Sequence, residues 1–195
     1  MYGKTEAGIG LPVLVDSSGK LITVPGGGKH ADAALAGRLF YGANQTSVTT
    51  STTKHNTFTG LALINPTGSG KVLVVHEFSY AFKDSIAGDT NLSLAVGPYV
   101  ADHAAAITVQ CCRNAYATSV AYLDDAATIT GTALVIVKHI ATLGTNVTTD
   151  LLTPNGVVDL GGSIILDAGR ALYTDTTLAT GNVAFFAYMW EEVDA

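Results

Sequence analysis

Over residues 71–83 (KVLVVHEFSYAFK) apolar and aromatic side chains recur at every second position. Val72, Val74, His76, Phe78, Tyr80 and Phe82 fall on one face, and from Glu77 onward the opposite face turns polar or small, with Ser79, Ala81 and Lys83. That period predicts a strand. Further short apolar runs follow at 58–64, 92–96, 107–112, 132–140, 157–160, 163–166, 171–174 and 182–190, with Gly, Asn, Asp or Pro in nearly every gap. Strands at this spacing, with no recurrent helical period between them, predict an all-β fold, a β-sandwich or jelly roll.

The run at 182–190 (NVAFFAYMW) is apolar on both faces. Phe186, Tyr188 and Trp190 lie on one, and Val183, Phe185, Ala187 and Met189 on the other. A sandwich strand needs only one buried face. The aromatic face is therefore a candidate subunit contact, unless the strand is central and covered by a loop.

Residues 1–40 behave differently and are read as an extended N-terminal arm and hinge, with the sandwich domain at 41–195. Two short apolar pieces, 11–16 and 21–24, flank a Ser-Ser-Gly-Lys turn, and a Pro-Gly-Gly-Gly joint follows at 25–28. An isolated hairpin is marginal in water, so Leu11, Val13, Val15, Leu21, Ile22 and Val24 need a partner. Either a neighbouring subunit or shell supplies it by strand addition or groove docking, or the hairpin packs on its own sandwich. Residues 31–40 are expected to hold one or two helical turns.

Composition sharpens this picture. In 195 residues, 48% are hydrophobic and only 13% charged, and mean hydropathy is positive. No apolar run reaches the roughly 18 residues that span a bilayer, so the surplus apolar surface points to a homo-oligomer. The net charge of −6 is uneven: residues 1–40 carry four basic and three acidic side chains, the remainder six and thirteen. An acidic body without a Lys/Arg cluster argues against nucleic acid, because phosphate neutralisation supplies most of that affinity.

The stretch INPTGSGKV at 64–72 looks like a phosphate-binding loop and lacks its working parts. Asn65 stands where the first glycine belongs, Val72 where the magnesium-binding hydroxyl belongs, and a strand follows in place of a helix. It is expected to be a connection between strands. The histidines are scattered singly with no His-x-His pair, no Gly-x-Ser-x-Gly elbow exists, and the acids Asp84, Asp89, Asp102, Asp124, Asp125 and Asp150 sit where turns want them. Cys111 and Cys112 are adjacent and should point to opposite faces of a strand as reduced thiols. No catalytic residue, metal or cofactor is expected.

The segments PVLVDSSGKLITV (12–24), FTGLALINPTGSGKVLVVHEFSYAF (58–82) and ILDAGRALYTDTTLATGNVAFFAYMWEEVD (165–194) together resemble small virion structural proteins of tailed bacteriophages, of the head-decoration (cement) or head-fibre kind. The resemblance implies a sandwich on the capsid exterior, a trimer, a major capsid protein as partner, and synthesis in a bacterial cytoplasm with no membrane stage. A receptor- or glycan-binding fibre head and a cupin-like or hydrolytic enzyme are the alternatives.

Overall fold

The computed structural model describes residues 2–4, 10–12, 28–50, 56–57, 60–83, 86, 88–98, 106–113, 117–126, 128–129, 134–144, 154–181 and 183–195. The chain divides into two units, Met1–Asp32 and Ala33–Ala195. In the first, β1 (Tyr2–Lys4) pairs antiparallel with β2 (Gly10–Pro12), setting Leu11 opposite Gly3. Leu11 therefore has a strand partner upstream of it. Val13, Val15, Leu21, Ile22 and Val24 lie outside the described residues, as does the glycine joint up to residue 27.

Helix α1 (Ala31–Leu35) ends because Gly37, at φ 71°, takes the left-handed conformation. Its N–H bonds to the Ala34 carbonyl at 3.0 Å and that of Arg38 to Ala33 at 2.9 Å, a Schellman cap that turns the chain into β3 (Leu39–Ala43). Leu39 and Phe40, expected in the arm, belong to the body instead. They pair with Glu191 and Trp190 in the sheet, so the division falls near residue 32 and not at 40.

The remaining strands are β4 (Asn56–Thr57), β5 (Ala62–Asn65), β6 (Lys71–Phe82), β7 (Thr90–Pro98), β8 (Ala106–Ile107), β9 (Gln110–Cys111), β10 (Tyr122–Asp124), β11 (Thr128–Ile129), β12 (Val135–Leu143), β13 (Asn155–Leu166), β14 (Arg170–Thr176) and β15 (Ala184–Asp194). A five-stranded antiparallel sheet runs β13-β6-β15-β3-β9 and a six-stranded one β12-β7-β14-β5-β10-β8, while β4 and β11 pair separately. Set the short strands aside and eight long ones remain. In chain order, the first, third, sixth and eighth form one sheet and the second, fourth, fifth and seventh the other, with spatial orders 6-3-8-1 and 5-4-7-2. That winding is an eight-stranded jelly roll.

The segment between β7 and β12 carries short strands that extend both sheets on one side. The apolar run 107–112, expected as one strand, splits: Ile107 pairs with β10 in the six-stranded sheet, and Cys111 with β3 in the five-stranded one. The runs 157–160 and 163–166 conversely join into the single strand β13. A bulge between Asp159 and Ile164 holds Gly161 and Gly162 at φ 57° and 75°.

A second bulge corrects the alternation of β6. Against β15, Glu77 pairs with Met189 and Val75 with Trp190, so His76 is the extra residue. The inward set switches from Leu73 and Val75 to Phe78 and Phe82, all at most 2% exposed. The core between the sheets collects these with Phe40, Leu63, Leu94, Leu123, Leu172, Phe186, Tyr188 and Trp190. A second buried cluster, Ala62, Ile64, Ala95, Leu134, Ala171 and Tyr173, lies on the opposite face of the six-stranded sheet.

Candidate interaction surface

The three rings expected at a subunit contact are spent inside the chain. Phe186, Tyr188 and Trp190 are 2%, 1% and 0% exposed; Trp190 stacks on Phe40 at 6.2 Å, and Phe78 lies 5.8 Å from Phe186 and 5.2 Å from Tyr188. Both faces of β15 are apolar, and the larger side chains fill the space between two sheets packed about 10 Å apart. The face turned away from the core is the one with Phe185, Ala187 and Met189.

Cross-strand registers extend that outward face, because directly opposed residues share a side of the sheet. One row runs Ala43, Ala187, Ser79, Val157; the next Tyr41, Met189, Glu77, Asp159; a third Glu191, Val74, Ile165; and Phe185, Ala81 and Asn155 make a fourth. Val157 is 69% exposed, Ile165 58% and Tyr41 49%. Small side chains at Ala43, Ala187, Ser79 and Ala81 leave a shallow trough of about 400 Å³ rimmed by Phe185 and Val157. A sandwich face meant only for water would be polar. Its charge is acidic: Glu77 lies opposite Asp159, whose Oδ1 accepts the Gly161 N–H at 2.8 Å. Glu191 is neutralised by Arg38 at 3.2 Å and contacts His76 at 3.4 Å.

The loop at 66–70 joins β5 of one sheet to β6 of the other, as expected from INPTGSGKV. Gly68 and Gly70 adopt φ 78° and 67°, and no helix follows Lys71. Asn65, in the place of a first P-loop glycine, is buried and donates to the carbonyls of Lys71 and Leu166, both at 2.9 Å. Lys71 itself pairs with Asp194 at 2.5 Å, and the lysine holds that exposed carboxyl below its usual range by hydrogen bond and charge.

One Ser/His/Asp set does meet. Ser93 Oγ is 2.9 Å from His139 Nδ1, and Asp175 opposes Ser93 on β14. In the register Ser93 lies between the other two, whereas a nucleophilic triad needs the imidazole in the middle, and Ser93 is 1% exposed. Among the described residues no three His, Cys, Asp or Glu side chains form a group that can hold a metal ion. Cys111 and Cys112 are both free thiols, and burial, then the neighbouring Cys111, pushes the Cys112 thiol up. Sequence reasoning gave Glu192 no role. It is 4% exposed and accepts hydrogen bonds from Ser119 Oγ and the Val120 and Ala121 N–H groups.

No helix among the described residues is long and apolar enough to cross a membrane. Compared with known proteins, the chain matches no family model, and no curated protein or solved structure is significantly similar to it.

Proposed function

We propose that this chain is a structural protein of a tailed-bacteriophage virion, a decoration protein that binds the outside of the head as a homotrimer and stabilises the shell. Jelly rolls serve viral capsids, lectins and cupin enzymes alike, so the fold by itself does not choose among them. The observation that carries the reading is the outward face of the five-stranded sheet, where Tyr41, Val157 and Ile165 stand exposed around a floor of small side chains. Such a face suits a large, flat protein contact. The sequence resemblance adds the virion and the major capsid protein as partner.

The glycan-binding alternative wants aromatic side chains at loop tips, whereas Phe40, Phe78, Phe186, Tyr188 and Trp190 are core residues here. The N-terminal arm upstream of residue 32, with Leu11, Val13, Val15, Leu21, Ile22 and Val24, is the proposed anchor on the capsid. Quantitative mass spectrometry of purified virions tests the function. Hundreds of copies on the head are expected; a few copies confined to the tail make it a fibre head, and none in the particle ends the virion reading. Deleting residues 1–28 tests the anchor: a folded body that no longer binds heads is expected, and full occupancy without the arm rules it out.

A further inference from the structure

The two long strands at the open side of the sandwich are β12, at the edge of the six-stranded sheet, and β13, at the edge of the five-stranded one. Of the exposed large hydrophobic side chains, Val135 (65%) and Val137 (49%) lie on β12, while Val157, Ile165 and Tyr41 lie on the outward face of the five-stranded sheet. Two apolar patches thus occupy different surfaces of one body. Their charges are opposite. Lys138 sits between the β12 valines and His139, and Glu77 sits in the middle of the sheet face. Among the described residues neither Lys138 nor Glu77 has an ion-pair partner.

We propose that copies of this chain associate edge to face: Val135, Val137 and Lys138 of one copy pack on the sheet face of the next, where Val157 and Ile165 receive the valines and Glu77 receives the lysine. Edge-to-edge strand pairing is disfavoured, because register shifts at Val137 and Ile140 bulge β12 and break its outer hydrogen-bonding row. Face-to-face packing about a two-fold axis sets the Glu77 and Asp159 carboxylates of one copy against those of the other, a like-charge contact. A heterologous contact repeats head to tail instead, and closes into a ring where its rotation returns to the first copy. The receiving face does not limit the contact: four strands wide, with three of them eleven or twelve residues long, it covers roughly 600–700 Å² by strand spacing and rise, more than the nine-residue edge strand β12 can cover. The association is a property of the chain alone, so it holds or fails in dilute buffer whatever the protein decorates.

Sedimentation equilibrium of the full chain tests it. The wild type is expected to be a cyclic oligomer at micromolar concentration, weakened by salt. Val137→Glu on the edge and Val157→Lys on the face should each weaken association by about tenfold or more, with far-UV circular dichroism unchanged. Lys138→Glu and Glu77→Lys should each do the same, and the double charge swap should restore association to within about threefold of wild type, as paired interfacial charges do. A wild-type monomer overturns the proposal. So does an oligomer that resists the edge variants, or one weakened by Val157→Lys alone, which is the signature of a face-to-face dimer.

Discussion

Glu192 holds Ser119: the Ser119 hydroxyl donates to Glu192 Oε1 at 2.5 Å, and the Val120 N–H follows at 3.0 Å and that of Ala121 at 3.4 Å. The carboxylate projects inward from β15 and is 4% exposed, so one side chain of a long strand satisfies the backbone of a segment more than seventy residues upstream. This contact ties the segment between β7 and β12 to the jelly roll. Glu192→Ala leaves the Val120 N–H without its acceptor, while the Ala121 N–H keeps Ser119 Oγ at 2.9 Å, and should cost about 1–3 kcal/mol, since hydrogen bonds to charged groups are worth more than neutral ones. Glu192→Gln keeps an oxygen but loses the charge, and should cost less. Urea unfolding measures both; an Ala variant within about 0.5 kcal/mol of wild type contradicts the clip.

Trp190→Ala and Phe186→Ala should each cost about 3–5 kcal/mol, the range of large truncations in a packed core. Both rings are buried within the chain, so the loss should be the same whatever the protein concentration. Unfolding midpoints measured over a wide concentration range decide this. A cost that shrinks on dilution would return these rings to a subunit interface.

Gly162 stands at φ 75° in the β13 bulge, and a Cβ there would come within 2.9 Å of Val74 Cγ1. Gly162→Ala combines a left-handed backbone with overpacking against β6, and should cost about 1–3 kcal/mol. Gly28, where a Cβ would meet nothing within 4 Å and φ is not positive, is the control, where Ala should be nearly neutral by denaturant midpoint.

Lys71→Ala removes an ion pair with an Asp194 side chain that is 91% exposed. Surface pairs contribute little, so the urea midpoint should be nearly that of wild type, and isothermal calorimetry should detect no ATP binding to either protein. Micromolar ATP affinity lost in the variant would reinstate the phosphate loop.

The all-β class and most strands were legible because turn residues separate short apolar runs. The faces were less so. Strict alternation over 71–83 put His76 beside Phe78, since a period of two carries no sign of a one-residue bulge until the partner strand is known. At β15 both faces read as apolar, and only the volume between the sheets selects Phe186, Tyr188 and Trp190 over Phe185, Ala187 and Met189. Glu192 lies two residues past Trp190, where the apolar run ends, so no local pattern marked it for burial. Its role depends on amides at 120 and 121 that no local pattern places near it. The outward patch of the five-stranded sheet, likewise, is assembled from strands distant in sequence and appears only with the register.

Tyr188 gives a pH-dependent test of the core. Its phenol is fully buried, and desolvation pushes its pKa well above the ordinary value of 10.0. Its hydroxyl donates to the Leu61 carbonyl over 3.4 Å, and that carbonyl also accepts the Thr174 N–H at 3.1 Å. The folded state thus holds the phenolic proton more tightly than the unfolded state does. The stability this contributes is fully present below about pH 10, where a tyrosine in the unfolded chain begins to ionise, and is lost as pH rises toward the folded value. In an alkaline titration, part of the phenolate absorbance should therefore appear together with the loss of the β-sheet circular dichroism. In Tyr188→Phe that coincident step should shrink by one phenolate. The variant should lose under about 1 kcal/mol at neutral pH, because the long hydrogen bond is a weak one and Leu61 keeps its other donor. Reversible ionisation of Tyr188 near pH 10 with the sheet signal intact would mean that water reaches the space between the two sheets.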